Sequence, residues 1–188
     1  MSSSKRKVWL LLLFRPYKDA EFREIGANLE KHNSFYRNLS EAGKVRMIEK
    51  CFEFIYSKSL EGREELEVTE EMHVAIAGTA AQISFGFNTS GFSHYKTIRI
   101  FPESFYSKMF DRYLKGGAST SGVLFLSWKD FMEGFADEKD KYNLGLHEMA
   151  HALRIQLKYG NDFDKRFANY VDSWEEIALP EFTRLQNG

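Results

Sequence analysis

The amino-acid sequence predicts an α+β fold that is mostly helical and contains a small β-sheet. Helical periodicity dominates the first half, two short β-rich runs lie between residues 87 and 127, and helical periodicity returns after them. The 188 residues are 43% hydrophobic, which is enough for one well-packed core. Because no low-complexity linker divides the chain, we expect an N-terminal extension with a first helix at 1–31 and one main domain at 32–188.

The helical stretches before the β-rich region have clear beginnings. Residues 18–31 are rich in charged, helix-forming residues and predict the first helix. Ser40 is placed to cap a helix at 41–60, and Thr69 is placed to cap a helix at 70–87. A side-chain oxygen at such a position accepts a hydrogen bond from an otherwise unpaired backbone N–H group. Three helices are therefore expected before the first strand.

The β-rich region contains two predicted strands, KTIRIF at 96–101 and GVLFLSW at 122–128. The Gly-rich stretch at 116–122 is interpreted as a flexible approach to the second strand. That stretch lacks the lysine and the following helix of a phosphate-binding loop, so nucleotide binding is not expected. The aromatic residues Phe105 and Tyr106 are expected in the core.

Charge and cysteine content exclude several classes of function. The 26 basic and 27 acidic residues nearly cancel, so the chain carries no electrostatic footprint for nucleic acid. Cys51 is the only cysteine, which excludes an intrachain disulfide and fits a reducing, cytoplasmic compartment. The apolar run VWLLLLF at 8–14 is far too short to span a bilayer. We expect it to be a buried element, with peripheral membrane contact as the alternative.

The most informative stretch is NLGLHEMAHALRI at residues 143–155. On a helix, one stripe of apolar residues recurs at i, i+3, i+4 and i+7 and is expected to face the core. Its members are Leu146, Met149, Ala150 and Leu153. His147 and His151 lie one turn apart on roughly the opposite side, with Glu148 on the flank beside them. A surface helix would carry Lys, Glu or Gln there, so this side is expected to line a cleft.

The spacing His-Glu-x-x-His has a chemical interpretation and a structural one. Two histidines at i and i+4 can direct their ring nitrogens at one cation, and Zn2+ is the usual one for this pattern. Glu148 would then activate a water bound to zinc held by His147 and His151. The strand at 122–128 is the candidate for an edge strand beside this helix that pairs with an extended peptide. The structural alternative is a pair of core histidines satisfied by hydrogen bonds.

Five segments, in order, resemble those of one known family. They are HNSFYRNLSEAGKVRMIEK, LEGREELEVTEEMHVAIAGTAAQISFGF, IRIFPESF, VLFLSW and the stretch from Asn143 to His151. The first contains "Phe-Tyr-x-x-Leu-Ser", and the second matches "Glu-Val-Thr-(Asp/Glu)-Glu-Met-x-Val-x-Ile-Ala". With this order and spacing, residues 32–155 resemble the Mlc titration factor A family of zinc metallopeptidases.

The resemblance implies a zincin-like metallopeptidase domain with a small β-sheet beside the His-Glu-x-x-His helix and a gluzincin-like site. His147 and His151 would be zinc ligands, and Glu148 would be the general base acting on a peptide substrate. Family members show aminopeptidase-like activity. One of them also binds a transcriptional repressor. The alternative function is therefore a non-catalytic module that binds a regulatory protein.

The chain departs from the family pattern downstream of the helix. The family's third ligand is a Glu in a segment resembling "Tyr-Ala-Ala-Thr-Asn-x-x-Glu-Phe-Phe-Ala-Val", and residues 156–188 contain no match to it. We therefore expect this chain to stop short of that segment. The downstream glutamates that remain as substitute ligands are Glu175, Glu176 and Glu181.

Overall fold

The structure, a computed structural model, describes residues 19–87, 92–136 and 143–159. The predicted class, a mostly helical α+β fold with a small sheet, is confirmed. The elements are α1 (Asp19–His32), α2 (Ser34–Arg37), α3 (Glu41–Ser57), β1 (Ser59–Gly62), α4 (Glu70–Ile83), β2 (Thr97–Phe101), β3 (Phe105–Ser107), β4 (Arg112–Leu114), β5 (Gly116–Ala118), β6 (Val123–Ser127), α5 (Trp128–Ala136) and α6 (Leu144–Tyr159).

The two predicted helix caps are confirmed. Ser40 Oγ accepts a hydrogen bond from the Gly43 N–H group at 3.3 Å, and α3 begins at the next residue. Thr69 Oγ1 accepts from the Met72 N–H group at 3.3 Å and begins α4 in the same way. The α4 helix ends at Ile83, before the predicted end at residue 87, because Ser84 closes the last turn. Both its N–H and hydroxyl groups donate to the Ala80 carbonyl.

The four-stranded sheet has the order β1-β2-β6-β5. The β1, β2 and β6 strands are parallel, whereas β5 is antiparallel to β6. Two predictions were wrong here. The strand at 122–128 is internal, because β2 and β5 pair with its two sides, and the Gly-rich stretch supplies a strand instead of a flexible approach. The edge strand beside α6 is therefore β5, and it reaches this place as the continuation of the β3–β4 hairpin.

The core lies between the helices and one face of the sheet. The side chains that the sheet contributes are fully buried: Ile98, Ile100, Leu124 and Leu126. Residues of α1 join the same core through Ile25 and Leu29. The α6 helix packs against α4, α5, β5 and β6, so it is held from two layers at once. The boundary expected between residues 31 and 32 stays a prediction about domain organisation.

Two further predictions concern segments that the structure does not describe. The apolar run at 8–14, and the part of the returning helical periodicity that follows residue 159, lie outside the described residues. Among the residues that are described, every helix is too short or too polar to cross a lipid bilayer.

Candidate metal centre

The helix that carries the His-Glu-x-x-His motif is anchored at both ends. Asn143 precedes α6, and its Oδ1 accepts from the Leu146 N–H group at 2.9 Å while its Nδ2 donates to the Gly134 carbonyl of α5 at 2.9 Å. Towards the other end, Gln156 is fully buried. Its Oε1 accepts from the His94 N–H group, and its Nε2 donates to Ser93 Oγ, both at 2.7 Å. These bonds fix the rotation of α6 about its axis.

That rotation differs from the one expected from the apolar stripe. Leu144 is buried, whereas Leu146 is half-buried and Ala150 is exposed. The reason is that α6 is sandwiched between helices and sheet, so its buried side is wider than a single stripe. Gly145 also brings α6 close to α5, because a Cβ atom there would lie 2.5 Å from Phe131 Cε2. Met149 and Leu153 face the core as predicted.

The two imidazole rings converge on the exposed side of α6. The Nε2 atoms of His147 and His151 are 3.0 Å apart, and the ring planes meet at 83°. Two ligands roughly 2.0–2.1 Å from a tetrahedral zinc would be about 3.3 Å apart, so the pair fits two corners of such a site. Partial burial, reinforced by the neighbouring His147 and Arg154, lowers the pKa of His151 and favours the neutral form that binds metal.

Glu148 lies beneath this pair rather than on an open flank. Its side chain is only 6% exposed, and burial raises its pKa to about 7. The β5 backbone covers it closely, because a Cβ atom added to Gly116 would lie 2.6 Å from Glu148 Cγ. A carboxyl group that titrates near neutral pH is suited both to accept and to return a proton. The helical pattern does not predict this burial, because it depends on a glycine more than thirty residues away along the chain.

The described residues supply two candidate metal ligands and no candidate for a third. Within 19–87, 92–136 and 143–159, no three His, Cys, Asp or Glu side chains are grouped so as to hold a metal ion. The three remaining histidines make other contacts. His32 Nε2 lies 3.8 Å from Glu71 Oε1. His73 Nδ1 is hydrogen-bonded to the carbonyl oxygen of Thr69, and His94 Nε2 is hydrogen-bonded to the carbonyl oxygen of Thr120. The glutamates considered as substitute ligands, Glu175, Glu176 and Glu181, lie outside the described residues.

An open concavity borders the histidine pair on the side of α4. Its lining includes Gln82 and Ile83 from α4 and Leu146, His147 and Ala150 from α6. Leu146 and Ala150, expected in the core, therefore belong to the wall of a cleft next to the candidate ligands. Of the three residues expected to line a cleft, His147 lines this concavity, whereas Glu148 and His151 are not part of its lining.

Comparison with known proteins agrees with this geometry. A curated protein of Synechocystis sp., described only as uncharacterized, is 24% identical over 164 residues. The match covers 80% of this chain, and the chain spans 60% of the length of that relative. A family model described as glucose-regulated metallo-peptidase M90 matches residues 15–188. The resemblance to metallopeptidases is thereby confirmed, and the chain belongs to the glucose-regulated metallo-peptidase M90 family.

Proposed function

We propose that this chain is a zinc-dependent peptidase in which His147 and His151 are metal ligands and Glu148 is the general base. One observation carries the proposal: two imidazole nitrogens 3.0 Å apart stand beside a buried carboxyl group on adjacent turns of one helix. Membership of a metallopeptidase family supports a metal between those nitrogens. Perturbed pKa values cluster at functional sites. The pKa of the neighbouring Glu148 carboxyl group is raised to about 7, which favours a functional site over a structural histidine pair.

The two histidines and Glu148 have different roles in peptide hydrolysis. A zinc ion held by the two histidines would supply a Lewis acid for the water and the peptide carbonyl. Glu148 accepts a proton from the water while the water oxygen attacks the carbonyl carbon. When the C–N bond breaks, Glu148 passes that proton to the departing amine nitrogen. The edge strand β5 can hold the peptide in extended form through main-chain hydrogen bonds.

The finer features of the proposal come from the sequence. Aminopeptidase-like activity and a third carboxylate ligand are expected from the resemblance to the Mlc titration factor A family, because catalytic zinc normally has three protein ligands. A cytoplasmic location is expected from the single cysteine. The alternative function is a module that binds a regulatory protein without hydrolysing it.

Substitution of Glu148 tests the mechanism. In the zinc-loaded full chain, Glu148→Gln should bind metal nearly as well as the unchanged protein but hydrolyse aminoacyl reporters and short peptides at least about a hundredfold more slowly. Glu133→Gln, which changes an exposed glutamate of α5, is the matched control and should retain full turnover. Undiminished turnover by Glu148→Gln would contradict the proposed role. Peptide binding without any turnover by the unchanged protein would favour the binding module.

A further inference from the structure

A second cavity lies on the face of the sheet that points away from α6. It has a volume of about 480 Å³ and is enclosed between the sheet and the β3–β4 hairpin. Phe105 of the hairpin stacks on Phe101 of β2 with 4.1 Å between ring centroids, and its ring centroid lies 5.9 Å from that of Phe125 of β6. These contacts hold the hairpin over the outer face of the sheet. The cavity is thus a feature of packed elements and not of a single loop.

The lining of this cavity is mostly apolar and aromatic, contains three hydroxyl-bearing residues of the serine and threonine type, and includes no charged residue. Its aromatic members are Phe101, Phe105, Tyr106, Phe110 and Phe125. Tyr106, which was expected in the core, is 49% exposed, and Met109 at the hairpin tip is 84% exposed. Apolar side chains concentrated at the rim of a concave site are typical of ligand-binding sites.

The edge strand β5 connects this cavity with the candidate metal centre. Successive residues of a strand point to opposite faces of a sheet. Gly116 faces Glu148, whereas a Cβ atom at Gly117 would meet nothing within 4 Å, and Gly117 lines the cavity. A peptide that pairs with β5 must follow the same alternation, so its side chains point in turn to the metal centre and to the cavity.

We propose that the cavity is a subsite for a large apolar or aromatic side chain of an extended peptide substrate bound along β5. This inference rests on the proposed function for the identity of the ligand as a peptide. The side chain in the cavity belongs to the peptide residue next to the one whose side chain faces Glu148. The lining contains no carboxylate, and the guanidinium groups of Arg99 and Arg112 lie over the rings of Phe125 and Phe110. A cationic side chain is therefore unfavourable there, because its desolvation would not be offset.

The subsite is tested with octapeptides of alanine and serine in which one phenylalanine is placed at each position in turn. In the zinc-loaded full chain, one position should raise kcat/KM by about tenfold or more over alanine at that position, as expected for burial of one aromatic side chain. Lysine at the same position should give a lower kcat/KM than alanine. Equal kcat/KM values for phenylalanine, alanine and lysine at every position would overturn the inference while leaving the peptidase proposal intact.

A matched pair of glycine variants locates the preference. Gly117→Leu adds a side chain that fills the cavity mouth, so the ratio of kcat/KM for the phenylalanine and alanine peptides should fall to near one. Gly86 also has open space around its Cβ direction, and it lies outside the cavity lining. Gly86→Leu should therefore keep the ratio. An unchanged ratio in a folded Gly117→Leu protein, judged by circular dichroism, would place the preference elsewhere and overturn the inference.

Surface variants and a binding measurement cover the remaining outcomes. Met109→Ser combined with Phe110→Ser alters exposed residues only and should lower the same ratio even if Gly117→Leu does not fold. If that double variant keeps the ratio but changes the oligomeric state by light scattering, the apolar rim is a contact between copies of the chain. Fluorescence anisotropy with labelled peptides separates the two proposals: a phenylalanine preference in binding without hydrolysis would retain the subsite and reject the peptidase.

Discussion

The two faces of the small sheet are built from the same strands but packed in different ways. On the helix side, Leu124 and Leu126 are fully buried and β5 lies directly against Glu148. On the hairpin side, Phe125 borders a cavity of about 480 Å³, and the side chains at its rim are exposed. Close packing fixes the position of a chemical group, whereas loose packing leaves room for a ligand. Under the two proposals above, catalysis belongs to the helix side and recognition of a substrate side chain to the hairpin side.

The largest expected effect is on stability. Leu124→Ala on the helix side should lower the free energy of unfolding by roughly 2–5 kcal/mol, because it leaves a void in a close-packed core. Met109→Ala at the hairpin tip should change it by no more than about 0.5 kcal/mol. Chemical denaturation of the two variants checks this. Similar losses in both would mean that the hairpin side is as tightly packed as the helix side.

An intermediate effect is expected from the two adjacent glycines of β5. Gly116→Ala places a methyl group against Glu148, so the carboxyl group must move; kcat should fall by about tenfold or more, and the free energy of unfolding should fall by roughly 1–3 kcal/mol. Gly117→Ala meets open space and should alter both quantities little. Thermal unfolding and steady-state kinetics measure them. Equal tolerance at the two positions would remove the basis for assigning different roles to the two faces.

A pH dependence of stability is also expected in the metal-free protein. Burial raises the pKa of Glu148 in the folded state to about 7, so the folded state favours the protonated carboxyl group. Its contribution to stability is therefore complete below a pH of about 4.5 and is lost as the pH rises to about 7. Glu148→Gln should lack this loss.

The measurement is Tm at pH 5 and pH 8 in the presence of a chelator. The two proteins differ only at position 148, so the difference between their pH dependences isolates the Glu148 carboxyl group. A parallel decline of Tm in Glu148→Gln would show that the carboxyl group is not responsible.

Local signals in the sequence predicted the helix starts and the two central strands well, but they missed β1 (Ser59–Gly62), which begins inside the helix predicted at 41–60. Ser40 and Thr69 cap their helices because a side-chain oxygen acts on N–H groups within three residues of itself. The strands of KTIRIF and GVLFLSW were placed within one residue of their observed ends, because β-branched and aromatic residues mark them directly. The convergence of His147 and His151 also follows from spacing along one helix.

The errors concern contacts between distant segments. Which strand lies at the edge depends on pairing order, and the three residues Gly116–Ala118 carry almost no strand signal of their own. The rotation of α6 depends on the bonds of Asn143 and Gln156 to other elements, which periodicity does not contain. The burial of Glu148 depends on the approach of Gly116. Each of these features requires the tertiary arrangement.

The alternation of Gly116 and Gly117 also limits how such a chain can change. Insertion of one residue within β5 would exchange its two faces and bring a side chain against the Glu148 carboxyl group. The tip of the preceding hairpin, around Met109 and Phe110, is under no such restriction because it lies outside the sheet register. Under the proposed function, substrate selectivity can therefore be redesigned by altering the length or composition of that tip without disturbing Glu148 or the histidine pair.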